Sequence, residues 1–319
     1  MKNPVAKIHR NTLAELQDLL HSSCELIQSD VTLDALSLGG WSNINIRGIS
    51  QGHEFVLKLP WSTMHYDTNP YSKLFDLLTY LSKSKITASP IATGRLPDKD
   101  ETPFMLLHYL DGVTYSSIFD ASRKELQALK DTLHELSLQK PPDLRKYVTP
   151  IDFLLGVHDE IAHHEALSTS STEVVPLVRA FQELYCKISP IIETLEPWSG
   201  TIMHGDLWEP NILIHDGRVR LLDFESCAYG DPLYDIAYLL EASDNTPREE
   251  PPFHLNIDQR NKVKSYRLVA LMSLVGWSLD RLLFMDAGLV EQNLNTSKIK
   301  KSIIKYTRAK ISRLSSLTT

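Results

Sequence analysis

The sequence predicts an α+β protein of two lobes: a small β-rich N-terminal lobe, residues 1–111, and a larger helical C-terminal lobe, residues 112–319. Three observations carry this. Apolar and polar residues alternate at Ile44–Ile46 and Phe55–Leu59, the period of strands with one buried face. Beyond Asp111-Gly112, leucines recur at helical spacing instead. The length of 319 residues suits about two lobes.

The elements follow in order. A first helix spans Leu13–His21, opened by the capping-box pair Thr12 and Glu15. Ile44–Ile46 and Phe55–Leu59 form a β-meander, with Gly48–His53 as its turn. Asn69 caps the next helix, Pro70 takes its first position, and Tyr71, Leu74, Leu78 and Leu81 set its period. Extended segments at Ile91–Leu96 and Phe104–Leu107 complete the sheet. In the second lobe, Ser122 and Glu125 form another capping box ahead of Leu126, Leu129, Leu133 and Leu136. Helices follow at Ile151–Ala166 and Pro176–Glu193, separated by a Ser168–Thr172 loop, then at Val263–Phe284 and Thr296–Leu314. A strand-rich insert occupies Ile202–Leu222. A small lobe followed by a large one is expected to leave a ligand cleft.

Composition narrows the function. With 42% hydrophobic and 23% charged residues, the chain has the profile of a soluble globular protein. A net charge of −7 argues against a nucleic-acid-binding surface. Three scattered cysteines suit a reducing cytosol. The N-terminus lacks the apolar core of a signal peptide, and the longest apolar run, Leu268–Leu279, is too short to span a bilayer. The expectation is a cytoplasmic protein with neither nucleic acid nor membrane insertion among its partners. The charge is uneven: from Thr296 onward there are seven basic side chains and no acidic one. This basic tail reads as a terminal helix docking Ile and Leu on an acidic lobe, in preference to a membrane-surface helix.

The chemistry is concentrated in His204–Glu225, HGDLWEPNILIHDGRVRLLDFE. Apolar runs Ile212–Ile214 and Val219–Leu222 flank the turn His215-Asp216-Gly217, which reads as a hairpin. Folding that hairpin returns Asp223 to Asn211, close to Asp206, and makes an oxygen-rich pocket of the kind Mg²⁺ prefers. Phosphoryl transfer needs this set: one carboxylate to orient and accept the proton of an attacking hydroxyl, and an Asn and a second Asp to hold the metal. Asp206 precedes Asn211 by the spacing of a kinase catalytic loop, and Asp223 takes the place of the Asp in DFG, with Glu225 replacing Gly.

HGDLWEPNIL together with LLDFESCAYGDPLYDIAYLL strongly resembles the aminoglycoside phosphotransferase/choline kinase family, over about Leu38–Leu240. The resemblance implies a bilobal protein-kinase-like fold, ATP and Mg²⁺ as cofactors, and phosphorylation of a small-molecule hydroxyl. It implies Asp206 as the catalytic residue and Asn211 and Asp223 as metal ligands. SLGGWSNINIRGI then fits the nucleotide-covering loop, with Gly39 and Gly40 admitting phosphate and Ser42 and Asn43 as donors. Lys58 fits the strand lysine that contacts the α- and β-phosphates. FMLLHYLDG fits the hinge, where the His108 carbonyl and Leu110 amide meet adenine. His204 and Asp235 are read as structural, with Asp235 bracing the catalytic loop and Asp231 belonging to the turn before its helix.

One departure stands out. The helix NPYSKLFDLLTYL lacks the Glu that pairs with the strand lysine; Tyr71, Ser72 or Lys73 falls at its place, and Asp67 and Asp76 are the nearby acids. That absence is the only support for the alternative, a nucleotide-binding pseudokinase or scaffold without turnover. A protein kinase is disfavoured because no APE motif or long activation segment lies between Asp223 and Asp235. For the acceptor, Trp208 offers a cation–π face and Glu209 and Glu225 offer negative charge, which points to an amino alcohol or amino sugar. Tyr234, Tyr238 and Trp277 are read as core residues. HDEIAHHE, His158–Glu165, invites a metal reading, but His158 and His163 are five apart and fall on different helical faces, and Glu160 and His164, four apart, are only two groups and make no closed site, so a solvated face is preferred.

Overall fold

The computed structural model describes residues 9, 11–39, 43–62, 69–115, 117–166, 171–242, 250–290 and 297–318. The chain separates into two compact units. The first comprises residues 1–83, 88–111 and 288–299; the second comprises 84–87, 112–287 and 300–319.

The first unit is built on a five-stranded antiparallel sheet in the order β1-β2-β3-β5-β4. Its strands are β1 (Thr32–Gly39), β2 (Asn43–Ser50), β3 (His53–Pro60), β4 (Pro90–Arg95) and β5 (Pro103–His108). Helix α1 (Leu13–Ser23) begins at the expected capping box, with Thr12 accepting from the Glu15 amide and Glu15 from the Thr12 amide. Helix α2 (Tyr71–Leu81) buries Tyr71, Leu74, Leu78 and Leu81, the face its leucine spacing predicts. Its start differs by one position: Pro70 is the cap, while the Asn69 side chain accepts from the Tyr71 amide.

The first hairpin turn is tighter than expected. β2 runs through to Ser50, and only Gln51 and Gly52 turn, at φ 49° and 75°. Gly48 lies inside the strand, and the position is glycine because a Cβ there would sit 2.3 Å from the Phe55 ring. Its missing side chain makes room for the ring across the ladder, where Gly48 pairs with Phe55.

The second unit carries two small sheets and six helices among the described residues. One sheet orders β6 (Val113–Thr114), β8 (Ile212–His215) and β9 (Arg218–Leu221); the other pairs β7 (Thr201–Met203) with β10 (Ala228–Gly230). β6 and β10, of two and three residues, are too short to announce themselves by alternation. The helices are α3 (Arg123–Ser137), α4 (Pro150–Glu165), α5 (Val175–Ile192), α6 (Leu233–Ala242), α7 (Ile257–Asp286) and α8 (Ser297–Leu317). The expected Ser168–Thr172 loop lies partly outside the described residues.

α7 is the hub, packed by α4, α5 and α6. It starts six residues earlier than its apolar period implied, because Asn256 and Gln259 form a capping box ahead of a polar first turn. It is long and apolar enough to cross a bilayer, yet most of its apolar stretch is buried, as in a core helix. α8 docks through Ile303, Ile304, Thr307 and Leu314. Its basic residues are not all in water. Lys310 is buried and donates to the Glu241 carbonyl, and Arg313 reaches the Glu241 carboxylate at 3.4 Å, beside the buried Arg267. The basic tail thus pairs with acid of its own unit.

Candidate active site

The β8–β9 hairpin forms as the apolar runs require, with Ile212 opposite Leu221 and His215 opposite Arg218. Asp216 and Gly217 turn at φ 49° and 71°. The hairpin brings the two halves of the constellation together: the Leu222 amide donates to the Asn211 carbonyl at 2.9 Å. The Asn211 side-chain amide donates to the Asp206 carbonyl at 2.9 Å and to its carboxylate at 3.0 Å. Asp223 follows at φ 62°, a left-handed conformation that Asp tolerates better than most residues.

Burial is the largest influence on Asp206, and the neighbouring Asp223 charge adds to it; together they push its carboxyl up to about 7. Hydrogen bonds from Tyr238 and Asn211 oppose the shift, and Glu225 adds a weaker negative field. Tyr238 is a contributor that sequence reading assigned to the core. It is buried, and it lies one helical turn beyond Asp235 on α6, so the i, i+3 spacing held the signal. Arg281 on α7 is the second residue missed. It is buried and feels Asp280, Glu225 and Asp223, but no local motif marks it.

The loop carrying Asp206 is held from below. Both Asp235 oxygens accept backbone amides, from His204 and Gly205, at 2.8 Å each. His204 is fully buried; its Nε2 meets the Leu222 carbonyl at 2.9 Å and its Nδ1 accepts the Asp206 amide at 3.3 Å. Burial pushes that imidazole down to about 4, so it stays neutral. Gly205 sits at φ 82°, and a Cβ there would lie 2.1 Å from the Ser226 carbonyl oxygen. Asp231 holds the turn before α6 by accepting the Leu233 amide at 3.0 Å, and it receives the Tyr266 hydroxyl at 3.2 Å.

The remaining candidates fall as follows. Trp208 is half-buried, Glu209 is buried in a short 3₁₀ turn, and Glu225 is exposed. Tyr234 lies in an aromatic core with Phe153 and Trp198. Trp277 packs on Tyr306, with the Arg281 guanidinium 5.7 Å from its ring centroid.

In the first unit, Gly39 ends β1 at φ 103°, and its carbonyl accepts the Asn45 side chain at 2.9 Å. Gly40 and Ser42 lie outside the described residues, as does Asp67. Asn43 is buried and accepts the Tyr71 hydroxyl at 2.7 Å. Tyr71, at the position where a Glu was sought, is thus fully buried against the base of β2. Asp76 is exposed. Lys58 is only 4% exposed, so it is no ordinary surface strand lysine. His108 closes β5 with its amide bonded to Ser89, and Leu110 follows half-buried.

Asp223 and Asn211 suit a hard divalent cation. Asn211 spends its side-chain N–H groups on Asp206, which leaves Oδ1 without a hydrogen bond among the described residues, and the Asp223 carboxylate adds charge.

The fold is that of the kinase-like aminoglycoside phosphotransferases and choline kinases. Choline kinase LicA from Streptococcus pneumoniae superposes with a TM-score of 0.58 at 15% identity, over 93% of this chain and 98% of that one. A thermostable mutant of aminoglycoside phosphotransferase APH(4)-Ia, in ternary complex with AMP-PNP and hygromycin B, gives 0.58 at 14% identity, over 91% and 98%. Amicoumacin kinase hAmiN, in complex with AMP-PNP, Ca²⁺ and Ami, gives 0.57 at 14%, over 88% of each. No curated protein sequence matches significantly. Residues 35–267 match the profile of the phosphotransferase enzyme family (APH), and the chain belongs to that family.

Proposed function

We propose that this protein transfers the γ-phosphate of ATP to a hydroxyl of a small molecule, an amino alcohol or amino sugar. The observation that carries the reading is the single hydrogen-bonded group of Asp206, Asn211 and the Leu222–Asp223 backbone at the mouth of the β8–β9 hairpin. Asp206 orients the acceptor hydroxyl and takes its proton as it attacks. Its raised affinity for a proton in the protein alone suits a group that must accept one.

Asn211 and Asp223 would hold Mg²⁺, which when bound offsets the charge of the transferring phosphoryl group. Asp235 and the neutral His204 fix the loop, so Asp206 loses little freedom when substrate arrives. Lys58 would meet the α- and β-phosphates of bound nucleotide, Gly39, Gly40, Ser42 and Asn43 would cover them, and the backbone at His108 and Leu110 would meet adenine. Tyr71 takes over part of the bracing that a helix Glu gives elsewhere, by fixing Asn43.

For the acceptor, the exposed Glu225 and half-buried Trp208 favour a cationic group near the reacting hydroxyl. Glu209, buried in its 3₁₀ turn, would add negative charge from within the loop. A screen of choline, ethanolamine, amino sugars, aminoglycosides and neutral polyols, scored by ADP release and product mass, tests the proposal. Turnover confined to neutral polyols would overturn the cationic acceptor. ATP-dependent transfer to no acceptor in the panel, in protein shown to bind nucleotide, would favour the pseudokinase reading.

A further inference from the structure

The motif His158–Glu165 is not used by the proposed reaction, and the fold changes its meaning. Glu160 and His164 lie one turn apart on α4, and α7 supplies a third group, Asp280. One ligand atom from each lies within 4.8 Å of the others. The approach is enforced by packing: at Gly276 a Cβ would lie 2.4 Å from Val157, so the two helix backbones are close one turn before Asp280. His164 Nδ1 is bonded to the Asp280 carboxylate, and its ring packs on Phe284 with centroids 4.6 Å apart. The imidazole is therefore held with its coordinating nitrogen toward both acids.

We propose that Glu160, His164 and Asp280 form a transition-metal site, of the kind that takes Zn²⁺ or Co²⁺ with water as the fourth ligand. One imidazole nitrogen and two carboxylate oxygens are a three-ligand set with an open position. Ligand atoms around a tetrahedral ion of this size stand about 3.5 Å apart, so the side chains need move only about 1 Å. Glu160 is exposed and gives the ion a route in. The nitrogen donor favours these metals over Mg²⁺, which prefers an all-oxygen shell, so the site does not compete for the nucleotide's metal.

Binding exchanges a metal ion for the proton shared by His164 and Asp280, which leaves to solvent. Arg145 and Arg281 also face the cluster and oppose the added positive charge. That sets a modest affinity rather than that of a closed structural centre. The site shares no residue with Asp206, Asn211 and Asp223.

Chelator-treated protein titrated with Co²⁺, followed by visible absorption, and with Zn²⁺, followed by calorimetry in excess Mg²⁺, tests this. We expect one equivalent of each to bind. His164→Gln and Asp280→Asn should each weaken binding by about tenfold or more. Glu160→Gln, at an exposed position, should do so without disturbing the fold, which melting curves check. Absence of binding in the unaltered protein, displacement by Mg²⁺, or unchanged affinity in the folded variants would overturn the site and leave a His–Asp ion pair.

Discussion

His204 makes stability depend on pH in a way that can be worked from geometry. Its Nδ1 accepts the Asp206 amide, and its Nε2 donates to Leu222. Protonation at Nδ1 would aim one N–H at another inside a fully buried site. Burial accordingly holds the folded-state value near 4, against 6.5 for a free imidazole. Between those values the unfolded chain binds a proton that the native chain refuses. Stability from this group is fully present above pH about 6.5 and is lost as pH falls toward 4, by about 3 kcal/mol in all.

The perturbation is His204→Gln, which keeps one donor and one acceptor but does not titrate. Urea unfolding of both proteins across this range isolates His204 from the other histidines. The stability of the unaltered protein relative to the variant should fall by about 3 kcal/mol from neutral pH to pH about 4. A difference that stays flat would refute the buried neutral imidazole.

Two further changes probe the frame of the site. Gly205→Ala places a Cβ against the Ser226 carbonyl at an already left-handed residue, and should cost at least about 2 kcal/mol in urea and remove any phosphate transfer. Gly200→Ala, at φ 70° with nothing within 4 Å, is the control and should cost about 1 kcal/mol. Glu241→Ala removes the carboxylate paired with Arg267, only 4% exposed, and also takes away the 3.4 Å contact of Arg313. It should cost about 3–5 kcal/mol in the same assay, and a loss under about 1 kcal/mol would contradict the anchoring of α8.

The parts of the fold legible in the sequence were those with local chemistry. The Thr12 and Ser122 capping boxes, the leucine period of α2 and α3, and the His215–Gly217 turn are written in adjacent residues. So is the association of Asp206, Asn211 and Asp223, because a four-residue hairpin has little choice of register. What escaped depends on distant partners. Gly48 reads as a turn residue until the Phe55 ring is seen across the ladder. Arg281 and Asp280 sit inside an apolar helix, where nothing nearby in sequence tells that one faces Asp223 and Glu225 and the other His164. Lys310 reads as a solvent cation and is buried on Glu241. β6 and β10 are strands only through their ladders with β8 and β7, which lie far away in sequence.

The central claim is that Asp206 acts on the acceptor hydroxyl while Asn211, Asp223 and the first unit serve the nucleotide. Asp206→Asn is nearly isosteric and can keep the contact with Asn211, but it cannot take a proton. Measured side by side, phosphate transfer to the acceptor found by screening should fall by about 100-fold or more, while ATP affinity in Mg²⁺ stays within about threefold. Transfer surviving near its original rate, or nucleotide binding lost together with transfer, would contradict the account.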